Sequence, residues 1–514
     1  MSSTKIVMPP PVDSGDSSYT ARFAHGAFWS FIGTVGARFF GFAASVVVAR
    51  VLGKVGFGEL AMIQSTLVLL GTFAGLGIGM TATKFVAELR FKDPERTGRI
   101  IGLTYLVSWT AGGVMALFCI LTAPWLAQHT LNAPHLAPEL RLASILLFIT
   151  AGFGPQAAIL GGFQAFKAAA RINVLQGILS LPITIPLVLY VGLRGAILAM
   201  IFTSLGGIIL SSLALLREYT SLGIRPNFLE AWREKAVLWQ FSLPAFLASV
   251  LHNPVLWAVY AILANQPQGY ASLGLFSAAM QFQFLINGLS LMLAAVAVPM
   301  LAELHGLPGK ERFVRAFTLN LEINWGLALV FSFMVLGLSP WLIYIYGSKF
   351  MEAVPIFLIV VNYLAIRVAS SINGQAFYSS GKMWAGFLIQ IAWALILLLI
   401  ASILIPLYSA KGMAFSLLVA QWLVFSLQSY YLLNKYKLKF SIIYSLAIVF
   451  SFFLIMNGVL GIFIIDKKWF QFLNIFLSII LFVIMVFKYN LKYYFLSYLQ
   501  PKIRLLRVVN EDID

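Results

Sequence analysis

The sequence is poor in cysteine, in charge and in carboxylates within its apolar runs. Its 514 residues include one cysteine, Cys119, so no disulfide can form within the chain. Only 10% of the residues are charged whereas 61% are hydrophobic, and the mean hydropathy is +0.91. Soluble domains do not have this composition, so we expect a polytopic membrane protein. All six aspartates lie outside the apolar runs, and of the twelve glutamates only Glu322 falls within one.

Two signals of other protein classes are also missing. The opening "MSSTKIVMPPPVDSGDSSYT" lacks the basic-then-apolar order of a cleaved signal peptide, so we expect a disordered cytoplasmic arm. The glycine-rich "GLGIGMTATK" matches neither the spacing nor the strand-to-helix context of a phosphate-binding loop. We therefore expect no ATPase, no metal site and no cofactor other than a coupling ion, H⁺ or Na⁺.

The apolar runs predict an all-α fold. A helix that crosses a membrane needs about 20 mostly apolar residues. By this criterion the chain has about fourteen spans, at 24–49, 60–83, 100–121, 141–163, 172–191, 195–216, 236–264, 271–301, 317–338, 353–380, 384–406, 411–433, 441–465 and 469–487.

Lys and Arg are distributed unequally between the two sides of these spans. With the N-terminus inside, 25 of the 35 lie on cytoplasmic segments and 8 on the opposite loops; Arg38 and Arg367 lie within spans. This is the positive-inside bias, and it predicts that both termini are cytoplasmic. The net charge of +17 is thus explained by topology and by attraction to membrane lipids, and no nucleic-acid partner is implied.

The two halves of the chain resemble each other. "VGFGELAMIQS" after the first span matches "QGYASLGLFSAAM" after the seventh at an offset of 213, and three further segment pairs match in order at offsets of 215, 211 and 217. This regularity predicts an internal duplication. Because each half has an even number of spans, six, both halves have the same orientation in the membrane and form a parallel repeat. A substrate site is expected between the halves. The predicted organisation is an arm (1–22), two six-helix lobes (23–216 and 236–433) joined by a cytoplasmic linker (217–235), two additional helices (441–487) and a cytoplasmic tail (488–514).

Three basic or ionisable residues lie near the middle of predicted spans: Arg38, His252 and Arg367. The repeat offset carries Arg38 onto His252, so two of them occupy equivalent depths on equivalent helices. Charged groups within a membrane usually face an interior cavity, although a structural hydrogen bond or snorkelling is the alternative for each. Because carboxylates are nearly missing from the spans, we predict that these three residues bind an anion.

Four residues are candidate hinges, because proline and glycine interrupt helices. Gly154 and Pro155 lie in the middle of the fourth span. Pro244 and Pro254 flank His252 in the seventh, where we expect a kink that frees backbone groups to line a cavity.

"ARFFGFAASVVVARVLGKVGFGE", "GTFAGLGIGMTATKFVAE" and the six-plus-six-plus-two layout resemble the polysaccharide-transporter family. These are bacterial flippases for O-antigen and other lipid-linked repeat units, in the superfamily that also holds multidrug exporters. The resemblance implies a V-shaped bundle with alternating access in the inner membrane, a carrier of the undecaprenyl-pyrophosphate type, and two extra helices that hold the lipid tail. It also implies a polysaccharide polymerase and chain-length machinery as partners.

Residues 37–53 also resemble the first helix of murein-precursor flippases. The first arginine of that pattern, implicated in pyrophosphate handling, falls on Arg38, while its second arginine and its aspartate fall on Ala44 and Ser45. These departures argue against murein precursor as the cargo. The matching positions are Arg38, Gly41, Phe42, Ala43, Ala49, Arg50 and Gly53.

Two other functions stay open at this point. A multidrug exporter of the same fold would need interior carboxylates to accept cations, and among the predicted spans only Glu322 is one. A membrane glycan polymerase or ligase would need carboxylates or a large extracytoplasmic loop, whereas the outside loops are short and the loop 217–235 is predicted to be cytoplasmic. His129, His135 and Glu139 in one outside loop are a weak candidate for a metal site.

Overall fold

A computed structural model describes residues 16–243, 246–247, 250–288, 301, 304, 311–380, 382–436, 473–474, 476–477 and 480. Within these ranges the regular elements are helices, and no strand occurs. The start of the predicted arm, residues 289–300 of the eighth span, nearly all of 441–487 and the tail lie outside the described residues. The role predicted for helices thirteen and fourteen therefore stays a prediction.

Six α-helices form the first half of the chain. Helix α3 begins where Asp93 accepts a hydrogen bond from the backbone N–H of Arg96 (2.9 Å) and Pro94 occupies the first helical position. Helix α6 ends at Gly223, which adopts the left-handed conformation that favours glycine. The six helices are α1 (Asp16–Gly75), α2 (Ile78–Leu89), α3 (Pro94–Trp125), α4 (Ala137–Gly162), α5 (Phe166–Val191) and α6 (Leu193–Leu222).

The second half has six described α-helices: α7 (His252–Ala264), α8 (Gly269–Met280), α9 (Glu311–Gly337), α10 (Ser339–Tyr344), α11 (Val354–Ser379) and α12 (Met383–Tyr436). Short π and 3₁₀ helices lie between the longer elements, at Leu126–Thr130, Pro134–Leu136, Ala231–Glu234, Leu238–Ser242 and Ser348–Ala353.

Two of the longest helices contain a break that separates two predicted spans. In α1 the break is Gly53 (φ 68°, ψ −176°), between the first and second spans. In α12 it is Ser409 (φ 49°, ψ −126°), between the eleventh and twelfth. A second break in the second span, at Leu76 and Gly77, was not predicted from the sequence.

The described residues contain eight helices that are long and apolar enough to cross a membrane, counting each broken helix once. The all-helical, multi-span class predicted from the sequence is confirmed, whereas the count of fourteen stays a prediction. The described parts of the predicted spans up to residue 433 lie largely in helices, because long apolar runs without polar interruption satisfy their backbone groups internally.

The chain forms two compact units. The first contains the described residues up to Phe284 together with Ile343–Ile356 and Lys382–Val424, and the second contains the described remainder. One cluster of buried side chains in the first unit has members on each of the helices from α2 through α6 and on the segment after α6. Its members are Ala82, Val86, Ile101, Ile159, Leu160, Phe163, Ile172, Leu215 and Ile224. The lobe boundaries predicted from the repeat stay a prediction.

Candidate functional site

Helix α11 is buried almost throughout, and its accessible residues near the middle form one polar strip, which contains Arg367. Spacings of three and four residues place these side chains on one face of the helix. Lipid-facing positions are apolar, so a polar and cationic strip favours contact with water. From Val354 to Phe377 the residues that are not buried are Pro355, near the helix start, and the four residues of this polar strip: Arg367, Ser371, Gly374 and Gln375.

Arg367 is available for an anionic ligand. Its guanidinium carbon lies 6.0 Å from the ring centre of Tyr363, and the side chain makes no hydrogen bond or ion pair with another described residue. The positive charge of a partly accessible arginine that is not paired with a carboxylate is available to attract an anionic ligand.

Buried hydrogen bonds fix the helix that carries Arg367. The Asn320 amide of α9 donates to the Gln375 side-chain carbonyl (3.2 Å), and the Ser370 hydroxyl donates to Gln428 (2.8 Å). The Asn373 amide donates to the Ser429 hydroxyl at 3.1 Å. Because unmade buried hydrogen bonds are costly, these pairs hold the rotation of α11 and therefore the direction of its strip.

Arg38 lies in the first part of α1 with an exposed side chain. It makes no hydrogen bond or ion pair with any other described residue. Gly41 and Ser45 follow on the same face, at steps of three and four residues, and the Ser45 hydroxyl lies 3.5 Å from that of Tyr346. At a rise of 1.5 Å per residue, Arg38 is about 10 Å along the helix from this contact.

His252 is the first residue of α7 and follows a turn at Val250 and Leu251. The seventh span is thus interrupted beside His252, as predicted. Pro254 sits in the first turn of α7, where the backbone N–H has no partner within the helix. The imidazole ring stacks on Trp393, with centroids 5.0 Å apart and planes 20° apart. Pro244 lies outside the described residues, and the hinge role of both prolines stays a prediction.

Gly154 and Pro155 lie inside α4, which runs as one helix from Ala137 to Gly162. The predicted interruption of this span is therefore not present in this structure, because an α-helix accommodates proline at a modest local cost when its neighbours hold it in place. Their role as a hinge stays a prediction.

Of the three predicted anion-binding residues, Arg38 and His252 belong to the first unit and Arg367 to the second. A site shared by all three therefore stays a prediction. Carboxylates in the described residues lie mainly at helix ends, where Glu234, Glu139 and Glu352 pair with basic residues. Glu322, the one glutamate within a predicted span, is buried within α9.

The three residues of the weak metal-site candidate each contact a different partner. His135 lies 2.7 Å from Glu59, Glu139 lies 2.9 Å from Arg194, and His129 stacks on Trp125. Among the described residues no three His, Cys, Asp or Glu side chains are grouped to hold a metal.

A closing cluster of aromatic side chains joins α1 to the segment after α10, on the side predicted to be extracytoplasmic. Phe42 and Phe57 of α1 lie 5.9 and 6.2 Å from the ring centre of Tyr346. Such aromatic pairs contribute about 0.5–1.5 kcal/mol each beyond area burial. The members of the closing cluster are Phe42, Phe57, Phe282, Tyr346 and Phe350.

Polar contacts surround the closing cluster. The Arg50 guanidinium donates to the Ile345 carbonyl (2.8 Å), and the Lys54 ammonium donates to the Glu352 carboxylate (2.8 and 3.0 Å). The second pair is largely exposed, so it contributes at most about 1 kcal/mol and opens readily.

Helices α1 and α8 approach each other at two glycines. A Cβ atom on Gly58 would lie 1.8 Å from the Tyr270 carbonyl oxygen, and one on Gly274 would lie 1.9 Å from that of Lys54. Only glycine permits this approach of two backbones.

The loop after α3 is attached to the same region. The Asn265 amide donates to the Thr130 carbonyl (2.7 Å), and the Tyr270 hydroxyl donates to the Leu131 carbonyl (2.9 Å). These contacts were missed from the sequence, which showed only that Gly58 and Gly274 fall in matching segments of the two halves.

The model of a family described as "Polysaccharide biosynthesis protein" matches residues 23–305. A search of curated proteins found no match.

Solved structures with a similar fold are MOP superfamily transporters. The lipid II flippase MurJ in an inward closed conformation is 16% identical, with a TM-score of 0.63 over 89% of this chain and 98% of that one. An inward-facing multidrug resistance MATE transporter is 15% identical, with a TM-score of 0.60 over 80% and 94%. A transporter from Pyrococcus furiosus, described as having a binding pocket of reverse polarity, is 15% identical with a TM-score of 0.58 over 81% and 96%. These similarities, with the apolar helices, indicate a multi-pass membrane protein of this fold.

Proposed function

Because the chain belongs to the polysaccharide biosynthesis protein family, we propose that it is a lipid-linked oligosaccharide flippase. Its cargo is an undecaprenyl-pyrophosphate-linked repeat unit of O-antigen (in lipopolysaccharide) or of another surface polysaccharide. It moves this cargo from the cytoplasmic to the periplasmic leaflet of the bacterial inner membrane. Both termini are cytoplasmic, and the partners are the polymerase and the chain-length machinery.

The observation that carries this proposal is the polar strip of α11. A helix that is otherwise buried presents a cationic side chain, Arg367, without a counter-charge from any other described residue. Arg38 adds a second accessible cation on α1. At about 4 Å and an effective dielectric constant of 20, each charge pair with a phosphate contributes about 4 kcal/mol. A pyrophosphate with about two negative charges fits two guanidinium groups, which bind phosphate oxygens in pairs.

The closing cluster supplies the outer barrier of an alternating-access cycle. Arg38 lies about 10 Å along α1 from the Ser45–Tyr346 contact, so a pyrophosphate at Arg38 stays on the cytoplasmic side of that barrier. Release to the other side requires the Lys54–Glu352 and Arg50–Ile345 contacts to separate. His252 is a polar partner of the pyrophosphate and the place for a coupling proton, since histidine titrates near neutral pH; sodium is the other candidate coupling ion.

A flippase assay with matched lipids tests the proposal. The purified protein is placed in vesicles that carry a fluorescent oligosaccharide linked to undecaprenol through a pyrophosphate or through a neutral ether. A glycosidase added outside reports the fraction that crosses. We expect transport of the pyrophosphate form and not of the neutral form; equal rates for both contradict a pyrophosphate-binding site.

A multidrug exporter is the second candidate, since MATE transporters share the fold with a TM-score of 0.60. The same vesicles loaded with a cationic dye separate the two functions. An exporter releases the dye, whereas a flippase with a cationic interior leaves it inside.

A further inference from the structure

The linker between α6 and the seventh span carries a ridge of exposed apolar side chains. Phe228 is 51% exposed, Leu229 98% and Trp232 60%. One exposed apolar residue is ordinary, but three within five positions form a patch that indicates a contact surface.

The ridge rests on a rigid support, because the linker backbone lies directly on α3. A Cβ atom on Gly98 or Gly102 would lie 2.2 Å from a carbonyl oxygen of the linker, that of Arg225 or Asn227 respectively. The Asn227 N–H donates to the Gly98 carbonyl at 3.0 Å. Because neither glycine has a side chain, the linker backbone can lie directly against the surface of α3.

The opposite face of the linker is buried and bound to α3 by charge. The Glu234 carboxylate accepts hydrogen bonds from Arg96 (3.1 Å) and Arg99 (3.3 Å), and both Ala231 and Glu234 are buried. The apolar ridge thus faces away from the protein in a folded segment, so its exposure does not come from an unfolded loop.

Basic side chains border the ridge. Arg225, Arg233 and Lys235 are all exposed. Arg233 pairs with Glu230 (2.8 Å), whereas Arg225 and Lys235 make no ion pair with a described residue. The segment lies between the end of α6 and the start of α3, so it is held at the level where membrane-spanning helices end.

We propose that this ridge is an interfacial anchor for anionic phospholipid. Phe228, Leu229 and Trp232 insert among the lipid headgroups, and Arg225 and Lys235 bind lipid phosphates. Aromatic and apolar side chains next to basic ones are the composition of segments that lie in the membrane interface. The anchor holds the joint between the two halves of the chain at the membrane surface, and it is independent of the cargo.

A fluorescent label tests the position of the ridge. Leu229→Cys in a Cys119→Ala background accepts a thiol-reactive label, and because Leu229 is almost fully exposed the substitution leaves the fold intact. Ser221→Cys, an exposed position outside the ridge, is the matched control. In vesicles containing phosphatidylglycerol we expect the label at 229 to be quenched by spin-labelled lipid and protected from iodide, and the label at 221 to be quenched by iodide.

The charge contribution is measured with Arg225→Gln and Lys235→Gln together. At about fivefold per basic charge near an anionic surface, the ratio of lipid-protected to aqueous label falls about twenty-five-fold in anionic vesicles and stays unchanged in phosphatidylcholine. Iodide access at 229 equal to that at 221 in pure lipid overturns the proposal. Protection in native membranes alone also overturns it, because the occupant is then another protein.

Discussion

At the scale of single residues, the molecule places cations where carboxylates are rare. Arg38 and Arg367 each keep an accessible guanidinium group that makes no ion pair with a described residue. Placing an arginine within the membrane costs roughly 2.5–3.5 kcal/mol of free energy on insertion scales. An arginine at such a position is therefore expected to bind a ligand or a structural partner. Since the described structure supplies no hydrogen-bond or ion-pair partner for either side chain, we expect the partner to be a ligand.

The first prediction concerns these two arginines. Arg367→Ala and Arg38→Ala each lower flippase activity in vesicles by at least about tenfold, because about 1.4 kcal/mol of lost binding already gives that factor. Arg367→Lys restores part of the activity, since the charge remains but the paired hydrogen bonds to phosphate are lost.

Arg141→Ala is the control, because Arg141 is an exposed arginine at the start of α4 without an ion pair to a described residue. Full activity in the Arg38→Ala/Arg367→Ala double variant excludes a role for both residues in binding the pyrophosphate.

The sequence alone was enough to predict Arg38, His252 and Arg367 as candidate anion-binding residues, because a charge in an apolar run is visible without a structure. It could not identify Ser371 and Gln375 as neighbours of Arg367 on one accessible strip. Which face of a helix is buried depends on helices far away in sequence, and polar residues of α11 such as Ser370 and Asn373 are buried while Ser371 and Gln375 are accessible. The stack of His252 on Trp393 was hidden for the same reason, since 141 positions separate the two residues.

At the scale of helices and loops, the closing cluster consists of many weak contacts, and in the proposed cycle it is the outer barrier. The aromatic pairs exclude water, while the exposed Lys54–Glu352 pair adds little to stability and breaks without a large cost. A barrier of this kind opens when a ligand shifts the free-energy difference between the closed and open states by a few kcal/mol.

The second prediction is that locking the closing cluster stops transport. Lys54→Cys and Glu352→Cys are combined in a Cys119→Ala background and joined by a short reducible bis-thiosulfonate. We expect transport to stop after cross-linking and to return when dithiothreitol cleaves the linker, because the outer barrier must separate in each cycle. The single-cysteine variants, treated in the same way, control for modification alone. Unchanged transport in the cross-linked double variant contradicts a moving barrier at this place.

Helices were predictable from the sequence because hydrophobicity and length decide whether a segment spans a membrane. The interruption beside His252 was predictable from the flanking prolines. The closing cluster was not, since Tyr346 lies about 300 positions from Ser45, and nothing local in either segment encodes the contact. At Gly154-Pro155 the sequence predicts an interruption that the structure does not contain. Helix α4 continues through Pro155 without a break.

At the scale of the whole molecule, topology follows from the distribution of Lys and Arg. The third prediction is that reporter fusions at Lys92 and Arg225 report the cytoplasm, and fusions at Lys54 and His135 report the periplasm. The structure places Lys92 between α2 and α3, and Lys54 directly after the Gly53 break. If fusions at Arg225 and His135 reported the same side, the assignment of the helices between them would be wrong.

The fourth prediction concerns the driving force. A cytoplasm-negative potential drives an anion outward, and moving about two negative charges gains roughly 4–5 kcal/mol per 100 mV. We therefore expect transport in vesicles of defined polarity that depends on membrane potential, at constant pH and without ATP.

Collapse of the potential with valinomycin and potassium is the decisive treatment. Undiminished transport would refute the electrogenic mechanism and leave the flippase function standing. A His252→Ala variant that keeps the dependence on potential but loses any dependence on a pH gradient assigns the coupling proton to His252.

The contact of Gly58 with Gly274 also bears on the history of the chain. The contact is close to symmetric, because a Cβ atom on Gly58 would meet the carbonyl four residues before Gly274, and one on Gly274 would meet the carbonyl four residues before Gly58. A contact that presents the same backbone features from both sides has the form of an isologous contact on a two-fold axis. If the predicted duplication began as a homodimer of six-helix subunits, one short segment would have served both sides of this crossing, so any larger residue there would have entered the contact twice. Fusion of the two gene copies would have made each glycine separately mutable, so that the crossing could lose its symmetry one side at a time.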